Sequence, residues 1–308
     1  MSTEPSRNST LTGVALACTS TALGGMTLAL TRFIIADTDA LTLAFLRYGL
    51  GTLALFAVLM WRSGWPKFER RDWLALVLLG FTMFTVFPYF MTQAMADTTA
   101  ARGGLLFATM PVMAIILGTA FGVERFTASK GLGVFLALTG TIIALGEGVD
   151  AVAPDALRGD LHMFTALVAA TIFNVFAKRY ILKYGSLAVM TTTGAVGVFG
   201  LLVLALTFGR PFSGSLDFDL VGWVVVLFLA IPGAAVMVGL WGWALKLITP
   251  TQATITVGMN PITAILLGAV LLSEPMTTRV LIGFALVLAA IAVAAYGPEF
   301  RRAPATSS

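Results

Sequence analysis

Ten mostly apolar stretches follow one another along this chain, each close to the ~20 residues a helix needs to cross a hydrocarbon core. They run approximately 10–32, 40–61, 72–95, 99–122, 129–147, 160–182, 186–208, 220–245, 250–273 and 278–296. In lipid every backbone polar group must be satisfied internally, so runs of this length can only be helices. Composition agrees: 58% of residues are hydrophobic and 11% charged, where a soluble domain carries about 25% charged residues. That excludes a single soluble core, a nucleic-acid module and a disordered chain. The one cysteine, Cys18, excludes an intramolecular disulfide.

Two connections, 148–159 and 209–219, hold Asp, Pro, Gly and Ser and read as surface loops. The first stretch is not expected to be a cleaved signal. Only Arg7 precedes it, and it runs the full bilayer width. A lipoprotein site at Leu16-Ala17-Cys18 is set aside because its apolar lead-in is too short.

Orientation is read from Lys and Arg in the loops. One side holds Arg7, Arg62, Lys67, Arg70, Arg71, Arg125, Lys130, Lys178, Arg179, Lys183, Lys246, Arg301 and Arg302, thirteen in all; the other holds Arg32, Arg102, Arg158, Arg210 and Arg279. Acids mirror this, with Asp97, Asp150, Asp217 and Glu274 among those on the poor side. Thirteen against five predicts that both termini are cytoplasmic.

The chain also repeats itself. At an offset of 150, Pro111 matches Pro261, Ala114 matches Ala264, Ile115 matches Ile265, Leu117-Gly118 match Leu267-Gly268, Glu124 matches Glu274 and Gly133 matches Gly283. Trp73 and Trp223 keep that offset, while Gly13 with Gly159 and Arg32 with Lys178 align at 146. Five spans is an odd number, so the second copy must enter the membrane upside down. The expected organisation is a cytoplasmic tail over 1–9, a five-helix repeat over 10–147, an external loop over 148–159, an inverted five-helix repeat over 160–296 and a cytoplasmic tail over 297–308. Inverted repeats are an architecture of secondary transporters, although duplication can also be purely structural.

Several short motifs carry a family resemblance: Leu43-Ala44-Phe45-Leu46-Arg47-Tyr48, Thr109-Met110-Pro111 with Glu124, Gly258-Met259-Asn260-Pro261 and Leu271-Leu272-Ser273-Glu274. With the ten-span duplication, the chain resembles the drug/metabolite transporter superfamily and, within it, the EamA-type exporters. It looks most like the amino-acid exporters of the YddG type. The resemblance covers nearly the whole chain, departing in that no proline introduces span two. It implies an all-α polytopic protein of a bacterial inner membrane, acting as a monomer without a cofactor. Spans three, four, eight and nine, with one, two, six and seven, would enclose a central cavity.

Arg47 is the one charged residue well inside a span, about six residues or roughly 9 Å from its external end. An intramembrane ionisable group is a functional candidate by default. Arg47 could meet a substrate carboxylate, or snorkel and tie helices together through backbone carbonyls. Anchoring is favoured, because the resemblance puts an arginine here across a family with varied substrates.

Pro111 and Pro261 would break spans four and nine at corresponding positions, freeing the carbonyl four residues earlier. Paired breaks point to a binding site between the repeats, which Met110 and Asn260 would face; simple bending of the helices is the alternative. Pro88 and Pro232 would kink spans three and eight without matching each other in the repeat. Gln93, Asn174 and Gln252 are neutral polar candidates, although such groups often bond a neighbouring helix. His162 could titrate near neutral pH or serve as an interfacial anchor. Tyr89 and Trp241 could line an apolar pocket, with core packing the plainer role, and the Gly24-Gly25 pair is a packing signal.

No Asp or Glu lies in the middle of any span, which argues against a buried proton relay. Glu124 and Glu274 read as helix caps. Neither a phosphate-binding loop nor metal-ligand spacing is present, which disfavours ATP hydrolysis and metalloenzyme chemistry. The sequence therefore predicts a carrier, not an enzyme, exporting amino acids or other small solutes by alternating access.

Overall fold

Where described, the apolar stretches are helical in the computed structural model, which describes residues 7–98, 106–107, 110–123, 128–145, 156–210, 216–272 and 278–296. Among the described residues, six helices are long and apolar enough to cross a membrane: Ser9–Asp37, Ala40–Arg62, Arg70–Asp97, Leu157–Tyr184, Ser186–Phe208 and Leu220–Leu247. They correspond to spans one, two, three, six, seven and eight. The other four stretches contain shorter described helices, Met110–Ala120, Ala128–Leu145, Met259–Leu272 and Thr278–Tyr296. Glu124 and Glu274 lie outside the described residues.

Helix starts follow local chemistry. Asp39 caps span two, its Oδ1 accepting from the amides of Leu41 at 3.1 Å and Thr42 at 3.0 Å. Asp219 caps span eight through the Gly222 amide at 2.7 Å. Span six begins at Ala156, inside the stretch expected to be a loop to residue 159. Its first turn is fastened to span three, since Arg158 Nε donates to Asp97 Oδ2 at 2.9 Å.

Prolines distort the helices where they remove a donor and crowd the carbonyl four residues back. Pro88 follows a π-helical segment, Thr82–Val86, and Pro232 lies inside another, Ile231–Val236. The prolines do not match in the repeat, but the widened segments do, at offsets of 149 to 150. In span nine the break precedes Pro261. Helix Pro250–Ile255 gives way to a 3₁₀ turn, Thr256–Gly258, before helix Met259–Leu272. Val257, the residue whose carbonyl Pro261 crowds, sits in that turn.

Helix pairing obeys a two-fold exchange of the halves. Span three packs on span six as span eight packs on span one; span four packs on six as nine packs on one. Span three meets seven as eight meets two, while two pairs with seven and five with ten. Close approaches repeat as well. A Cβ at Gly13 would stand 2.7 Å from Ile248 Cγ2 and 2.9 Å from Leu247 Cβ; one at Gly159 would stand 2.7 Å from Thr98 Cβ and 3.1 Å from Asp97 Cβ.

The same contacts show that the halves are inverted. The start of span six lies at the end of span three, through Arg158 and Asp97. Its far end lies at the end of span eight, where Lys178 Nζ donates to the Ile248 carbonyl. Equivalent helices thus finish on opposite faces. At that second face Lys183 Nζ binds Asp72 Oδ2 at 2.8 Å and Glu69 Oε1 at 2.6 Å, clasping span three to span six at both ends. The hydrogen bond from Lys183, helped by Arg71, holds the Glu69 carboxyl below its ordinary value.

Large apolar side chains cover the outside of the bundle, Leu53, Phe135, Phe199 and Leu220 among them. An apolar exterior is what a lipid-facing bundle requires, since it needs no polar shell.

Candidate functional site

One stripe of span one starts the site. Ser20, Gly24 and Thr27 recur at helical spacing, with Thr21 beside them, and all four line a cavity at the centre of the bundle. Its volume is about 80 Å³. Its wall draws on spans one, two, three, four, six, seven, eight and nine, the set expected from the sequence. The lining is mostly apolar, with Met83, Phe84, Phe87, Met91 and Phe173 prominent.

Five sequence candidates converge here: Arg47, Met110, Asn174, Trp241 and Asn260. Trp241 Nε1 donates to Asn174 Oδ1 at 2.8 Å, so the deep tryptophan is held by the span-six amide. Asn260 is 4% exposed and its Oδ1 has no hydrogen-bond partner. That oxygen lies 2.6 Å from where a Cβ on Gly24 would stand, so only glycine fits there without a shift. Gly25 is tighter still, against the Asn260 carbonyl and Thr263 Oγ1. Pro261 follows on the same helix and is buried, and Thr21 Oγ1 donates to the Thr256 carbonyl in the 3₁₀ turn at 2.9 Å. Of Pro111, only its place in helix Met110–Ala120 is described.

Arg47 is 3% exposed. Its Nη2 donates to Thr27 Oγ1 and to the Gly233 carbonyl, both at 2.9 Å. One nitrogen therefore ties span two to span one and to the π-segment of span eight, the anchoring role favoured above. Nε and Nη1 are buried without a hydrogen-bond partner, as is the Tyr48 hydroxyl. No described carboxylate forms an ion pair with the guanidinium.

Four candidates lie elsewhere. Tyr89 and Gln93 line a separate outer pocket with Asp39 and Phe208. His162 Nδ1 stands 3.2 Å from Asp97 Oδ2 at the end of span three, with Phe90 packed on its ring. Gln252 Oε1 accepts from the Thr249 amide at 2.7 Å and its own amide donates back to Thr249 Oγ1, forming a capping box. Pro88 and Pro232 belong to the distorted segments and are absent from the cavity wall. Thr27 and Gly233 were not singled out in the sequence, and Tyr48 entered only as the end of a family motif. The stripe of small and polar residues in span one was the available signal for Thr27; nothing local marks Gly233.

A central cavity lined by two inverted helical halves is an arrangement characteristic of membrane transporters. The chain belongs to the EamA-like transporter family, whose model matches residues 11–146 and again 157–296. It is similar to the uncharacterized transporter YetK of Bacillus subtilis (strain 168), 26% identical over 251 residues, covering 80% of this chain and 76% of the relative. The uncharacterized protein PA1977 of Pseudomonas aeruginosa is 30% identical over 273 residues, covering 84% and 88%. A crystal structure superposes with a TM-score of 0.74 at 19% identity, covering 92% of this chain and 96% of that one, which supports the fold.

Proposed function

We propose that this transporter exports amino acids, aromatic and neutral ones foremost, by alternating access through the central cavity. The observation that carries this reading is the cavity wall: large apolar and aromatic side chains around a few polar groups, Arg47, Asn174, Trp241 and Asn260. Such a wall suits a solute with an apolar side chain and a compact polar end. No span carries a mid-membrane carboxylate, which supports facilitated movement down the solute gradient in place of proton coupling. A monomer in a bacterial inner membrane with cytoplasmic termini completes the proposal, with transport and no catalysis.

The test uses purified protein in liposomes, with labelled Phe, Met and Thr, with and without an imposed pH gradient. Saturable movement indifferent to the gradient is the expected result. Movement that tracks it replaces facilitation with proton coupling, and no movement of any amino acid removes the substrate assignment. Asn260→Ala should weaken transport; if it leaves transport unchanged, the site is misplaced. The predominance of apolar wall favours one second reading, a broad drug or metabolite exporter. Competition by cationic dyes against amino acids separates the two.

A further inference from the structure

We infer that Arg47 is the group that recognises the carboxylate of the transported solute, while the Asn260 side-chain oxygen receives its ammonium. This rests on the reading of the cavity as a transport site. Arg47 enters the cavity wall as a buried cation without a described carboxylate beside it. A buried charge left unpaired is strongly unfavourable, and a functional site that must take up and release an anion is one setting that retains it.

The anchoring bonds do not use the whole guanidinium. Arginine presents five N–H donors, and the contacts to Thr27 and Gly233 occupy Nη2 alone. Nε and Nη1, buried and unpartnered, are the donors left for a solute oxygen. Each two-pronged grip of a guanidinium includes Nη2, so a carboxylate is first held by a single nitrogen. It can gain the second contact only by competing with the Gly233 carbonyl.

Asn260 supplies the complementary end. Its Oδ1 is buried, unpartnered and beside Gly24, whereas Arg47 is fastened at Thr27. Gly24 and Thr27 are three residues apart on one helix face, about 4.5 Å along its axis, and Thr27 Oγ1 is steadied by the Gly24 carbonyl at 2.7 Å. An acceptor and a cationic donor set one helical turn apart match the ammonium and carboxylate joined through one Cα. The apolar wall on spans three and six, Phe84 and Phe173 included, then takes the side chain.

The experiment measures binding to the purified full-length protein by quenching of tryptophan fluorescence, confirmed by calorimetry. The probes are L-phenylalanine, L-phenylalaninamide and 3-phenylpropionate. Wild type should bind phenylalanine at least tenfold more tightly than the amide, and retain measurable affinity for phenylpropionate. Arg47→Gln should abolish phenylpropionate binding and bring acid and amide to within about twofold of each other; Arg47→Lys should restore part of the preference. Equal affinity for acid and amide in wild type overturns the inference, as does an unchanged preference in Arg47→Gln. Should Arg47→Gln fail to fold, the wild-type ligand series decides, since it needs no variant. If phenylalanine neither binds nor moves in liposomes, the amino-acid reading falls, and Arg47 is then judged on 3-phenylpropionate against 3-phenylpropionamide. A preference for the acid upholds its role; equal affinity, or no binding of either, overturns it.

Discussion

Trp241 Nε1 and Asn174 Oδ1 join spans eight and six by a 2.8 Å hydrogen bond for which the other half of the molecule has no counterpart. The repeat places Met91 opposite Trp241 and Leu28 opposite Asn174, and both line the same cavity. The second half thus contributes a polar pair where the first contributes an apolar one. Trp241→Phe should cost about 1–3 kcal/mol by stranding a buried acceptor. The double variant Asn174→Leu with Trp241→Met, which copies the first half, should cost less than the sum of the single changes. Thermal unfolding in detergent checks this, and strict additivity would show the bond to be incidental.

Glycines separate sharply by what surrounds them. Gly25→Ala would drive a methyl group into the Asn260 backbone carbonyl, so a loss of about 1–3 kcal/mol is expected from overpacking. At Gly49 the nearest atoms to an added Cβ are 3.7 and 3.8 Å away. Gly49→Ala should therefore be neutral or gain about 0.5–1 kcal/mol from reduced chain entropy. Equal effects at the two sites would contradict the packing of span one on span nine.

Gln252 offers a test of cap against ligand. Its side chain closes a box with Thr249 at the start of helix Pro250–Ile255. Gln252→Ala should remove roughly 1 kcal/mol of stability while solute affinity per folded molecule stays at the wild-type value. A tenfold loss of affinity would return Gln252 to the solute path.

Orientation is open to labelling. In a Cys18→Ser background, Ser63→Cys should react with a membrane-impermeant maleimide only from the cytoplasmic side, and Ala36→Cys only from outside; both positions are exposed in the structure. The opposite pattern would overturn the orientation read from thirteen against five basic residues.

Much of the architecture was legible because membrane helices announce themselves by length and apolarity. Likewise Pro111 with Pro261 and Gly13 with Gly159 carried the repeat at fixed offsets. The cavity was legible in part. Met110, Asn174, Trp241 and Asn260 reach it because each was chosen as a polar, aromatic or break-adjacent group deep in a span. Gln93 lies toward a helix end, and Tyr89, chosen as a deep aromatic, lines the same outer pocket, because depth along the chain says nothing about which neighbour a side chain meets. Gln252 was misleading for a local reason, since a threonine three residues earlier captured it as a cap. The matched π-segments could not be read, because Pro232 is the second residue of its segment in span eight whereas Pro88 comes two positions after the other ends in span three.

The difference between the halves bears on energetics. Were the repeats identical, exchanging their conformations would convert the inward-facing form into an outward-facing one of equal free energy. With Asn174, Trp241 and Asn260 on one side and Leu28, Met91 and Met110 on the other, that degeneracy is lifted. Under the alternating access proposed above, the empty carrier would rest more often facing one compartment, by an amount set by the free-energy difference between the two forms. For an uncoupled carrier this bias makes half-saturation differ between the two faces of the membrane, while the direction of net flow stays with the solute gradient.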